Sequence, residues 1–194
     1  FTLTLRQHTL PSPGQDVKEP YVIPVAVGLI GPNGNEVLET QILELADAEQ
    51  SFDFSGLAAR PVASVLRGFS APVVLTHDVD RAFLLAHDSD PFNRWEASRG
   101  LARDCLLAMI RDGAAPDAAW LDGLEKVLRD DTLDPAYRAL MLEAPSAAEM
   151  AQVLHENGVI PDPQAIWDAM DALAQAMADR WAGFLPELAE QTKV

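Results

Sequence analysis

The sequence predicts an all-β unit followed by an all-α one: a small antiparallel β-sandwich of immunoglobulin-like kind over residues 1–78, then antiparallel, solenoid-like helices over 79–194. Three observations carry this. Up to Asp78 the apolar residues alternate with period two or fall in short β-branched runs. After Asp78 alanine and leucine become abundant and the apolar spacing moves to three and four, the period of a helix face. Short Asp-, Pro- and Gly-bearing breaks then divide the second part into helix-length pieces.

In the first part "FTLTL" alternates, "YVIPVAVGLI" is β-branched and apolar, and "QILEL", "QSFDF", "ASVLRGF" and "PVVLTH" follow, so six or seven strands are expected. Between "VGLI" and "EVLE", the Asn33-Gly34 pair of "GPNGN" favours a tight hairpin with positive φ. Pro24 cannot donate to a ladder, which predicts an edge strand or a bulge there. In the second part a helix opens with Asp90 as N-cap and Pro91 at its first position and closes near Gly113. Trp95, Ala102, Cys105 and Met109 share its apolar face. A second helix carries Trp120, Leu124, Val127 and Leu128, and a short one follows Asp134. Ser146 and Glu149 have capping-box spacing before a helix that stops at Gly158. The last helix begins at Asp162-Pro163 and places Ile166, Met170, Leu173, Met177, Trp181 and Phe184 on one stripe.

With 48% hydrophobic and 23% charged residues, the chain has the composition of a folded globular protein rather than a disordered one. Its formal net charge of −16 repels phosphate backbones and acidic lipid headgroups, so neither nucleic acid nor a membrane surface is an expected partner. No apolar run approaches the roughly 18 residues that span a bilayer. Cys105, the only cysteine, excludes an intrachain disulfide and suits a reducing compartment. The chain begins at Phe1 and runs straight into an alternating segment, which reads as a piece of a larger protein.

Ser70 in "RGFSAP" has Gly68 two positions before it, as a nucleophile elbow requires, but Pro72 stands where the second glycine belongs and no helix is expected after it. It is read as part of a strand-to-strand turn, and Ser70→Ala is expected to cost at most about 1 kcal/mol, the worth of one hydrogen bond. His8, His77, His87 and His155 are the histidines; "HENGV" at 155–159 lacks the second imidazole of a helical zinc site, and His77-Asp78 and His87-Asp88 read as solvated pairs. Cys105 reads as an inert thiol on an apolar face. For Arg94-Trp95, Trp95 is expected to pack its helix on the β-part and Arg94 to pair with Asp90 or Ser98. The acidic runs read as solvated faces.

"FTLTLRQ", "EQSFDF", "RPVASVLRGFSAPVVL" and "DSDPFNRWEASRGLA", in this order, resemble the bacterial aminopeptidase N family of zinc metallopeptidases. The likeness covers the β-part and the first helices and fades toward the end. The resemblance implies a zinc-dependent, cytoplasmic parent enzyme that removes N-terminal residues from peptides, with this chain as its β-sandwich and the start of a helical domain over the active-site cavity. The family's His-Glu-x-x-His and Gly-x-Met-Glu-Asn motifs occur nowhere here. The expectation is therefore no catalytic, cofactor-binding or metal-ligating residue in this chain, with zinc held elsewhere in the parent. The implied partners are the parent's catalytic domain and its peptide substrates. Self-association through an uncovered stripe on the last helix is also expected, because the family's helical domain is longer. The alternative from another class is a free-standing sandwich-plus-helices module that binds a protein partner.

Overall fold

The computed structural model describes residues 1–191; residues 192–194, the end of the expected helical domain, lie outside them. The chain divides into two compact units, one from Phe1 to Arg94 and one from Trp95 onward. The first holds strands β1 (Thr2–Arg6), β2 (Ile23–Ile30), β3 (Glu36–Leu45), β4 (Glu49–Asp53) and β5 (Val62–Val65), helix α1 (Arg81–His87) and the start of α2 (Pro91–Asp112). The second holds the rest of α2, then α3 (Ala118–Arg129), α4 (Pro135–Leu140), α5 (Ala147–Glu156), α6 (Pro163–Arg180) and α7 (Leu185–Gln191). The expected class, Ig-like β followed by all-α, is what the chain forms.

Two antiparallel sheets make the β-part: β1 with β4, and β3-β2-β5 with β2 in the middle. Alternation sends Val25, Val27 and Leu29 of β2 inward, where they form a core with Leu45, Val65, Leu66 and Ala71, and Leu3, Leu5 and Phe54 pack against it. Residues Val27 to Leu29 of β2 face Gln41 to Leu38 of β3, one residue more on β3, and a second irregularity follows at Ile30. This bulge reverses the parity of β3, so that Leu38 and Leu43, five residues apart, both pack against the core. The second irregularity puts Glu36 on the opposite face, where Thr40, out of step with Leu43 and Leu45, also lies.

The expected strands need three corrections. "EVLE" and "QILEL" belong to the single bulged strand β3. "ASVLRGF" stays in the ladder only to Val65; a 3-10 turn over Arg67–Phe69 follows. "PVVLTH" is no strand, because Pro72 and the residues after it have no neighbouring strand to bond. The count is five rather than six or seven. The hairpin at Asn33-Gly34 forms, but over Gly31-Pro32-Asn33-Gly34: the Gly34 N–H donates to Gly31 O at 2.9 Å, neither central residue, Pro32 or Asn33, has positive φ, and Gly34 closing the turn has φ 82°. Pro24 lies in a central strand rather than at an edge. β5 reaches β2 only from Val27 to Ile30, and on that side, short of β5, the Ala26 N–H donates to Ser70 Oγ at 2.9 Å. Pro24, two residues earlier, shares that side, where no ladder bond is asked of it.

The starts that the sequence marks at Asp90, Asp134, Ser146 and Asp162 are capped there, and Asp117, which it does not single out, caps α3. Asp90, Asp117, Asp134, Ser146 and Asp162 each accept a backbone N–H in the first turn of the helix they precede. Gly113 and Gly158 end α2 and α5 with φ of 65° and 73°. The capping box of α5 is half made, since Glu149 turns to Arg99 Nη2 at 2.5 Å. Helix α1, capped by Asp80, was not expected; with Arg81 and Asp80 flanking a stretch as short as "AFLLA", it offers no full period to read. The last helix ends at Arg180, and Trp181 and Phe184 sit in the turn before α7. Its stripe is covered: Ile166, Leu173 and Trp181 are buried, and Met170, Met177 and Phe184 half-buried. The face on which self-association was expected to rest is therefore not open. Exposed apolar residues here are Ile160 before the helix and Trp167 on the flank of the stripe.

Candidate functional site

The strongest polar cluster of the first unit surrounds Arg67, which is only 4% exposed. The backbone that delivers it is strained. Leu66, Gly68 and Phe69 have φ of 61°, 61° and 54°, and the left-handed region is unfavourable for Leu and Phe. The turn swings the guanidinium back over β2, where Gly28 leaves room: a Cβ there would lie 2.1 Å from Arg67 Cζ. Every face of the guanidinium is used. Nε donates to Ser64 Oγ at 2.8 Å, Nη1 to Thr40 Oγ1 at 3.0 Å and to Glu36, and Nη2 to Asp88 Oδ1 at 3.1 Å.

The segment after α1 closes the cluster. Asp88 is fully buried and accepts the Asp90 N–H at 3.0 Å. Asp90 caps α2 with one carboxylate oxygen and accepts the Gly68 N–H at 3.0 Å with the other. Asn93 donates to Ser64 Oγ at 2.8 Å and to Val65 O at 3.0 Å. Phe69 and Phe92 stack outside, with centroids 5.4 Å apart. Burial pushes the Asp88 carboxyl above its ordinary value, against hydrogen bonds from Ser64 and the Asp90 backbone and the charge of Arg67. Its Oδ2 has no hydrogen-bond partner among the described residues. The arrangement holds backbone in place; it offers no nucleophile, no acid–base pair open to a substrate and no metal ligand set.

Parts of two of the four strings that carry the resemblance, "RGFSAP" and "DSDPFNRW", meet in this cluster. The sequence reading missed the cluster itself. The signals were an arginine and a serine inside the apolar run "VASVLRGF" and a glycine inside "VAVGLI".

Ser70 is a structural residue in the geometry, through its bond to Ala26 N–H. Ala26 is buried, so Ser70→Ala would leave a donor without partner and is expected to cost about 1–3 kcal/mol, more than a turn serine alone. Chemical denaturation of the two forms measures it; a difference within error would remove Ser70 from the ladder end. His8, His77, His87 and His155 are all exposed. Among the described residues, no three His, Cys, Asp or Glu side chains gather as a metal site. The residues present do not fit a zinc ion. Cys105 is buried, accepts the Asp117 N–H at 3.4 Å, and burial pushes its thiol up, opposite to an activated thiolate. Arg94 bonds neither Asp90 nor Ser98 by its side chain; Nε donates to Leu85 O at the end of α1. The Trp95 ring carries the Arg99 guanidinium at 5.6 Å.

A second feature of the first unit is an apolar groove of about 840 Å³ between the 5–10 segment, which continues β1, and the 71–76 segment. Tyr21 and Val22 line it, and Val74, 96% exposed, stands at its rim.

Among the described residues no helix is long and apolar enough to cross a membrane. Residues 1–78 match a family described as a domain of unknown function, DUF3458, with an Ig-like fold, and residues 78–194 match its DUF3458_C companion, described as ARM repeats. Aminopeptidase N of Caulobacter vibrioides is 38% identical over 79% of this chain and 18% of its own length. Aminopeptidase N of Escherichia coli K12 is 32% identical over 94% of this chain and 22% of its own. The chain thus spans about a fifth of the length of these curated relatives. The crystal structure of Legionella pneumophila aminopeptidase A in complex with aspartic acid superposes on 89% of this chain and 20% of that one, with a TM-score of 0.72 and 24% identity, a likeness of fold. The chain belongs to the aminopeptidase N family, as its DUF3458 Ig-like domain followed by its ARM-repeat domain.

Proposed function

We propose that this chain is the non-catalytic β-sandwich and helical part of a zinc-dependent aminopeptidase that releases N-terminal amino acids from peptides. One observation carries the reading: an aminopeptidase N matches 94% of this chain with only 22% of its own length. The remaining four-fifths is where the catalytic domain, its zinc and the peptide site belong. On this reading residues 1–78 are the sandwich domain and 79–194 the helical domain, and neither contributes a catalytic, cofactor-binding or metal residue. Their partner is the catalytic domain of the same polypeptide, against which they hold the helices that restrict peptide entry. The single buried cysteine suits the cytoplasm.

What the residues of the first unit do in this role is mechanical. Arg67, fixed by Ser64, Glu36, Thr40 and Asp88, ties the sheet to the segment that starts α2, and Asp90 bonds the 3-10 turn and the first turn of α2 together. Buried charge-assisted bonds of this kind fix one geometry among many that apolar packing alone would tolerate.

The test is a pair of assays on amino-acyl amide substrates. The full parent enzyme is expected to hydrolyse them, to lose activity to a chelator and to regain it with zinc. The 194-residue chain is expected to show no turnover and no stoichiometric zinc. Turnover that stays with the chain through rigorous repurification, or a parent that lacks it, overturns the reading.

A further inference from the structure

We propose that the open side of the sandwich holds an extended strand of the parent polypeptide, from outside these 194 residues, hydrogen-bonded along the free edge of β1. The proposal rests on the reading that the chain is part of a longer enzyme.

β1 has one neighbour among the described residues, β4. The Phe54 N–H donates to Phe1 O and the Gln7 N–H to Ala48 O, so odd-numbered residues of this stretch bond toward β4. Alternation then aims the N–H and C=O groups of Thr2, Thr4 and Arg6 at the other side, where no strand of the described residues runs. Soluble proteins blunt such an edge with proline, a bulge or inward charges. β1 has no proline, and its register with β4 is unbroken from Thr2 to Arg6. A two-stranded sheet is also marginal in water.

The groove lies beside this edge. Its far wall, residues 71–76, includes Val73, Val74 and Leu75, all exposed, in a segment whose sequence predicts a strand and which joins no strand among the described residues. Tyr21, Val22 and Leu10 add to the same exposed apolar surface, a cluster rather than the scattered residues that need no explanation. One inserted strand would satisfy the edge of β1, cover this surface and give 72–77 a neighbour. It would also bring the five strands nearer to the seven of an Ig-like sandwich.

The parent polypeptide is the favoured occupant for two reasons. The relatives have about four-fifths of their length outside the matched region, and a tethered segment competes at an effective concentration of about millimolar. A second copy brings a formal charge of −16 against −16.

Amide hydrogen exchange of the intact parent enzyme and of the 194-residue chain tests this. The Thr4 and Arg6 amides are expected to exchange at least about a hundredfold more slowly in the parent. Equal rates in the two overturn the proposal, as does protection in the chain alone that grows with its concentration, the mark of a second copy on the edge. Thr4→Pro removes one outward N–H and no bond to β4; against Thr4→Ala it is expected to lower the melting temperature of the parent and leave that of the chain unchanged. An equal loss in both overturns the proposal too. Should Thr4→Pro fail to fold, the wild-type exchange comparison still decides. Amino-acyl amide turnover by the same parent preparation reports separately on the functional reading, so an inactive parent with a protected edge sinks that reading and not this one.

Discussion

Arg67→Ala is expected to cost the Ig-like unit about 3–5 kcal/mol, the range for removing one member of a buried charge pair. The loss is large because of what stays behind. Asp88 is fully buried, and Arg67 is the cation that its side chain meets. Ser64, Thr40 and Glu36 would each lose a donor as well. Arg67→Lys is expected to recover only part of this, because an ammonium cannot reach four acceptors in the plane that the guanidinium fork serves.

The pH dependence has a definite sign. Burial already holds the folded Asp88 carboxyl above its ordinary value, and Arg67 is one of the groups pulling it down. Without Arg67 it rises further, so the folded state binds a proton more readily than the unfolded one. Stability is then fully present below the unfolded carboxylate pKa and is lost as pH rises through the raised folded value. The deficit of Arg67→Ala relative to wild type is thus expected to be greatest near neutrality and to shrink on acidification. Urea unfolding of both forms between about pH 4 and pH 7, roughly the span in which buried carboxylates titrate, measures it. A loss under about 1 kcal/mol, the scale of an exposed ion pair, would mean that the cluster is solvated. Gly28→Ala approaches the same cluster from the opposite strand, since its methyl group collides with the guanidinium.

How much of this was legible in the sequence varies with the kind of signal. Three helix starts were legible because they are written in adjacent residues: Asp90-Pro91, Asp134-Pro135 and Asp162-Pro163 put an acceptor and a fixed φ side by side. The core of β2 was legible from its β-branched run. The bulge in β3 was not, because a parity change between Leu38 and Leu43 has no local marker and depends on what β2 offers across the ladder. Residues 72–77 illustrate the reverse case. Their composition is that of a strand, but a strand exists only with a neighbour to bond, which no local pattern reports. The Arg67 cluster joins residues from 28 to 93, and the sequence marked only its oddities, a charge and a glycine in apolar runs. The cluster itself became readable only when "RGFSAP" and "DSDPFNRW" met in space.

Trp181→Ala is expected to destabilise the helical unit by about 3–5 kcal/mol, the range for emptying a buried tryptophan site. Trp181 is 1% exposed and occupies the turn just after α6, where the sequence expects the helix still to run. Its indole N–H donates to Glu125 Oε2 of α3 at 3.2 Å. Glu125 also accepts from Arg129 at 2.9 Å and from Arg180 at 3.3 Å, and Arg180 reaches Asp122. The Arg129 guanidinium lies over the Phe184 ring at 4.2 Å. Hydrogen bonds from Arg129 first, then from Trp181 and Arg180, hold the Glu125 carboxyl below its ordinary value. Removing the indole therefore empties a site in the core and withdraws one donor from the acid that gathers α3 and the end of α6. Trp181→Phe separates the two effects: it keeps most of the ring volume, drops the N–H, and is expected to cost about 1–2 kcal/mol, nearer one hydrogen bond than a cavity. Thermal unfolding of the chain and its two variants decides between this account and the one the sequence suggests. If Trp181 instead stood on an uncovered helical stripe, Trp181→Ala would leave stability nearly unchanged and abolish a concentration-dependent dimer. A monomer at all concentrations with a melting point well below wild type is the expected result.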